Sequence, residues 1–173
     1  MSGFRPGARI GVDVGKARIG VARCDMHGML ATPVETVPRA KGDPVARIIA
    51  IALEHEAFEL VVGLPLGMSG GETPSTADAR EFAGLLAAAW HAAGGVQPVR
   101  LVDERLSTVT AHSALRGAGR SQRSSRSIVD QVAAVVLLQH AIDTENLTGT
   151  PLGETLHTPP PGDVAEPAEA DGA

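Results

Sequence analysis

Three acidic residues stand where carboxylates are not expected in an apolar chain. Asp13 lies inside GVDVGKARIGVA (11–22), a run of strand-forming residues. Glu104 sits between Asp103 and Arg105 at the end of VRLVDER (99–105), and Asp130 precedes QVAAVVLLQ (131–139). Strand alternation puts Ile10, Val12 and Val14 on one face and Gly11 and Asp13 on the other. A lone buried carboxylate is costly unless something pairs with it, so Asp13 either ends a strand in water or faces a site. Each acid also has a plainer role. Asp13 can serve as a turn acid, and Glu104 as an exposed strand end paired with Arg105. Asp130 can favour a helix N-terminus, since Ser127-x-x-Asp130 fits a capping pattern.

Taken together, the three acids point to one kind of chemistry. Carboxylates from separate elements, converging on one sheet edge, repel one another and raise each other's pKa values. A divalent cation offsets that repulsion, and hard oxygen ligands suit Mg2+ or Mn2+. Two such ions about 3.5–4 Å apart activate water and stabilise the leaving oxygen in phosphodiester cleavage. This reading assigns Asp13, Glu104 and Asp130 both catalytic and metal-ligating roles.

Phosphate chemistry also needs cations, and the charge distribution supplies them. The net charge is −5, from 20 acids and 15 Lys and Arg. Five of the acids (Glu154, Asp163, Glu166, Glu169, Asp171) follow Asn146, where no Lys or Arg occurs, leaving residues 1–145 balanced. Within that body, residues 105–129 hold Arg105, Arg116, Arg120, Arg123 and Arg126 and no acid. Such a patch is the usual signature of phosphate binding, with a solvated Arg/Ser loop as the alternative. Lys16 and Arg18 beside Asp13, with Arg105, Arg120, Arg123 and Arg126, are the expected nucleic-acid contacts. Aromatic residues are only 2% of the chain, too few for base-stacking platforms, so nucleic acid is expected to be held through its backbone.

Other apparent motifs fail on context. GMSGG (67–71) matches G-x-S-x-G, but that elbow must join a strand directly to a helix, and here the helix starts only after Pro74. GVDVGKA has too short a spacing before Gly-Lys for a phosphate loop, and Ala17 stands where Ser or Thr must bind magnesium. The six histidines form no H-x-x-x-H pair. The single cysteine, Cys24, excludes an intramolecular disulfide and a thiolate zinc cluster. No apolar run reaches the ~18 residues of a membrane helix, and no signal peptide is evident; a cytoplasmic protein is the simplest expectation.

The elements that position the acids follow from periodicity and turn chemistry. Strands are expected at 9–14, 18–24 and 30–37, as a meander turning at Gly15-Lys16 and DMHG (25–28). Asp43-Pro44 opens a helix whose apolar face is Val45, Ile48, Ile49, Ala52 and Leu53. A buried strand follows at 58–65, then a helix capped by Ser75 with Asp78 and carrying Phe82, Leu85, Leu86 and Ala89, ended by Gly94-Gly95. A strand at 98–104 precedes helices at 107–115 and 127–144. The order β-β-β-α-β-α-β-α-α predicts a mixed five-stranded α/β sheet with helices on both faces. Residues 1–145 form the expected domain. The Pro-rich, acidic segment 146–173 is expected to be disordered, so that truncation after Asp143 leaves stability unchanged.

GVDVGKARIGVA, VVGLP, VRLVDERLSTVTA and VDQVAAVVLLQ resemble the YqgF/RuvX family of pre-16S rRNA nucleases and Holliday junction resolvase-like proteins. The likeness spans roughly Arg9 to Asp143, and the D-x-G-x-x-R-I-G-V-A and D-E-R-L-S-T blocks are its specific parts. The resemblance implies an RNase H-like fold, a metal-dependent nuclease, and catalytic acids at Asp13, Glu104 and Asp130. It further implies pre-rRNA, structured DNA or RNA, and ribosomal precursor particles as partners. The sequence departs from the family in the LGMSGGE loop and in an Arg/Ser segment that is often Lys-rich. Two other readings remain: an actin/sugar-kinase type ATPase, which needs a second domain, and a non-catalytic RNA- or partner-binding protein.

Overall fold

The computed structural model describes residues 3–105 and 122–156, with the backbone alone for 122–128. The elements are β1 (Arg9–Val14), β2 (Arg18–Cys24), β3 (Ala31–Pro38), α1 (Pro44–Glu54), β4 (Glu59–Leu64), α2 (Pro74–Ala92), β5 (Val99–Asp103), α3 (Gln122–Thr148) and β6 (Glu154–Leu156). They form one mixed sheet in the order β3-β2-β1-β4-β5-β6. β1, β4 and β5 are parallel neighbours, and β2, β3 and β6 run antiparallel to theirs. The expected five strands are all present, and β6 is a sixth.

β6 corrects the expectation for the segment after Asn146. It pairs Val99 with Leu156 and Arg100 with Thr155, and α3 runs on to Thr148. Polar composition hid both, because a three-residue edge strand needs backbone partners rather than a hydrophobic run. Truncation after Asp143 therefore removes a strand and the buried Glu145, and is now expected to destabilise the fold. Residues 157–173 and the expected helix 107–115 lie outside the described residues.

Local chemistry explains the helix starts. Asp43 caps α1 by accepting from the Ala46 N–H at 3.1 Å, with Pro44 in the first turn. Thr73, rather than Ser75, caps α2: its hydroxyl accepts from the Thr76 N–H, and the Thr76 hydroxyl accepts from the Thr73 N–H. Pro44 and Pro74 thus occupy equivalent positions, where the missing N–H costs nothing.

The sheet is covered on both faces. Ile10, Val12, Ile19, Val21, Leu60 and Val62 pack against α1 and α2 through Ile48, Ile51, Phe82, Leu86 and Trp90. Leu53 and Leu85, expected on those apolar faces, are exposed instead. On the other face, Ala22, Val61 and Val102 meet Ala134, Leu137, Leu138 and Ile142 of α3. Gly11, Asp13, Gly20 and Gly63 belong by alternation to the α3 face. Asp13 is the cross-strand partner of Gly20. No helix among the described residues is long and apolar enough to cross a membrane.

Candidate active site

The site lies at the C-terminal edge of the parallel strands, where open α/β sheets place their ligands. Three glycines make it possible. A Cβ on Gly20 would sit 1.9 Å from the Asp130 backbone oxygen, and one on Gly11 would meet Leu138 at 2.8 Å. Without those carbons, α3 lies directly on β1 and β2. A Cβ on Gly63 would fall 2.0 Å from Glu104 Oε1, so the Glu104 carboxyl group occupies the space that a side chain on β4 would fill. The β1–β4 register pairs Gly11 with Val61 and Val12 with Val62. One step further, Asp13 stands beside Gly63, and Glu104 is thereby delivered to Asp13.

Asp13 and Glu104 lie within hydrogen-bond reach of each other. Burial pushes both carboxyl groups above their ordinary range. The hydrogen bond and the negative charges of Asp13 and Asp103 add to the rise at Glu104. The Asp130 charge adds to the rise at Asp13, while the hydrogen bond with Glu104 holds it back. Of the two, Glu104 favours its protonated form more strongly, pushed up to about 10.

Each plainer role meets a specific observation. Asp13 is half-buried within β1 and paired with Gly20 rather than exposed in a turn. Arg105 does not neutralise Glu104: its guanidinium grips Asp103, with Nε 2.9 Å from Oδ2, and holds that carboxyl group below the usual range. Asp130 lies two turns inside α3, which starts at Gln122, so it cannot cap that helix. Its carboxylate instead accepts from Arg18 Nε at 2.8 Å.

The structure thus joins Asp13 to Glu104 and brings Asp130 close enough to act on Asp13 electrostatically. Among the described residues, no three His, Cys, Asp or Glu side chains make a ready metal-holding group. Lys16 is exposed on the β1–β2 turn, and its charge reaches Asp78. Arg116 and Arg120 lie outside the described residues, and of Arg123 and Arg126 only the place in the first turns of α3 is described. Sequence reasoning missed Gly20 and Gly63. Glycine inside a strand run was the available signal, since it marks close approach of another group.

The model of a family described as RuvX, Holliday junction resolvase, matches residues 7–144. That covers more than half of the chain. The chain belongs to the RuvX family. Its relatives include a Clavibacter michiganensis subsp. michiganensis protein, 58% identical over 152 residues, spanning 87% of this chain and 91% of that one. A Thermobifida fusca protein is 50% identical, spanning 91% of this chain and 100% of its own. Both carry the name pre-16S rRNA nuclease. The fold resembles Thermus thermophilus RuvC in complex with a Holliday junction substrate, with a TM-score of 0.52 and 20% identity over 84% of this chain and 99% of that one. This RuvX family member therefore has an RNase H-like fold, as its strand order and the early blocks implied.

Proposed function

We propose that this RuvX family member is a metal-dependent endonuclease that hydrolyses phosphodiester bonds, acting in the cytoplasm in 5′-end maturation of pre-16S rRNA. The half-buried Asp13–Glu104 carboxyl pair, with no arginine among the described residues to neutralise it, carries the reading. Carboxyl oxygens held together at the cost of a trapped proton fit a hard divalent cation, Mg2+ or Mn2+, which replaces that proton. Asp13 and Glu104 would hold it, with Asp130 as the third ligand. Bound there, a cation would supply an activated water and charge neutralisation at the scissile phosphate. The chain's own groups do the rest. α3 closes one side of the site, Gly63 leaves room for Glu104, and Asp103 keeps Arg105 beside the site without letting it quench the pair. Lys16, Arg18, Arg105, Arg120, Arg123 and Arg126 would take substrate phosphates.

The family description and the junction-bound RuvC favour a second reading, cleavage of four-way DNA junctions. One experiment separates the two, and both from a non-catalytic binder. Pure protein with Mg2+ or Mn2+ is offered a pre-16S rRNA 5′ precursor and a four-way DNA junction, with Asp13→Asn as control. Cleavage of the RNA in preference to the junction, lost in the variant, supports the proposal. The reverse preference favours the resolvase, and no cleavage of either leaves a binding protein.

A further inference from the structure

Resting on the metal-site reading, we infer that Arg18 gates the site. It holds Asp130 off a cation until a substrate phosphate draws its guanidinium away, so nucleic acid and divalent cation bind with positive cooperativity.

The placement follows from β2. Arg18 is two residues from Gly20, so both point to the α3 face, and Gly20 is where the Asp130 backbone lies against the sheet. Arg18 Nε meets Asp130 Oδ2 at 2.8 Å. The Arg18 side chain is 37% exposed and that of Asp130 18%, so the guanidinium faces arriving substrate while the carboxylate is held inward. The pair is also the most exchangeable of its kind near the site. Arg39 and Asp78 are joined by two hydrogen bonds, and Arg105 grips both oxygens of Asp103. Among the described residues, Arg18 engages Asp130 through Nε alone.

A single-point pair of this exposure is weak, and guanidinium binds phosphate bidentately and strongly. Transfer of Arg18 from Asp130 to a phosphate frees a third carboxylate beside Asp13 and Glu104. Cation and phosphate each compete against the same Arg18–Asp130 contact, so each favours the other, and by linkage the coupling must be reciprocal.

The test is Mn2+ binding by calorimetry to the full chain, without nucleic acid, for wild type, Arg18→Ala and Lys16→Ala. Thermal unfolding of each variant checks that it folds. Arg18→Ala should tighten Mn2+ binding at least about fivefold, while Lys16→Ala, which removes a nearby charge that does not hold Asp130, changes it much less. In the wild type, saturating Mn2+ should tighten binding of a short nucleic-acid duplex, and Arg18→Ala should shrink that ratio toward one. Saturable Mn2+ binding that is indifferent to Arg18, or moved equally by Lys16→Ala, overturns the gate alone. Absence of saturable Mn2+ binding in the wild type overturns the metal-site reading and the gate with it.

Discussion

The two ends of the parallel strands bury carboxyl groups of the same kind and treat them oppositely. At the N-terminal edge, Glu59 and Glu145 are 1% and 2% exposed. Arg5 meets both, at 2.9 and 2.8 Å, Arg9 meets Glu145 at 3.0 Å, and Arg100 meets Glu59 at 3.1 Å. Phe4 and Phe58 stack on Arg9 with ring centroids at 4.5 and 4.6 Å. Burial alone would raise the Glu145 pKa, but the arginines bring it below the usual range. At the C-terminal edge, Asp13 and Glu104 are half-buried without an arginine partner among the described residues, and burial raises both. α3 joins the two ends: Glu145 lies 15 residues beyond Asp130, about 22 Å along the helix axis. Burial of a carboxylate therefore does not mark function here. Burial without a cation does, because the molecule shows elsewhere that it has arginines to spend on neutralisation.

Variants at the two ends should fail in different ways. The largest expected effect is on catalysis: Asp13→Asn should reduce cleavage to background. Its melting temperature without metal should stay level or rise slightly, because one of three repelling acids is gone. Arg9→Ala should do the reverse. It leaves buried Glu59 and Glu145 short of a partner, a loss of about 3–5 kcal/mol in denaturant unfolding, while activity per folded molecule is retained.

The glycines sharpen the contrast. Gly20→Ala drives a Cβ into the Asp130 backbone, which cannot swing away, so stability should fall by about 1–3 kcal/mol. Gly63→Ala meets the Glu104 side chain from Cγ to the carboxyl group rather than backbone, and a side chain can turn. That variant should keep its melting temperature and lose Mn2+ affinity and cleavage. Equal stability loss in both would mean that Glu104 is rigidly packed.

The smallest effect is the pH dependence of stability without metal. Asp13 and Glu104 are raised in the folded state, so the native protein holds more protons than the unfolded chain above the ordinary carboxylate pKa values of about 4. The contribution of the pair is complete below about pH 4 and is lost as pH rises toward the folded values. Wild type should therefore lose stability relative to Asp13→Asn between about pH 5 and 8. Saturating Mn2+ should abolish that difference. The acids lowered by arginines, such as Glu145 and Asp103, act with the opposite sign and only at lower pH.

Much of this was legible in the sequence for physical reasons that can be named. β1, β2 and α1 were legible because alternation, helical spacing and the Asp43-Pro44 cap are local. The three acids were legible because charge inside apolar runs demands an explanation. Two things were not. β6 owes its existence to pairing with β5, and nothing in GETLH signals that. The partners of the charges were also hidden: Arg105 takes Asp103 and not Glu104, Arg18 takes Asp130, and Arg9 takes Glu145 from 136 residues away. Such choices are settled by side-chain geometry after the strands align.

The central claim is that Asp13 and Glu104 trade a trapped proton for a divalent cation. It is tested most directly by Mn2+ calorimetry at neutral pH in buffers of different ionisation enthalpy. The expected result is release of about one proton per site filled in the wild type. Binding heats that do not depend on the buffer would contradict the account, because the pair would then hold no proton for a cation to displace.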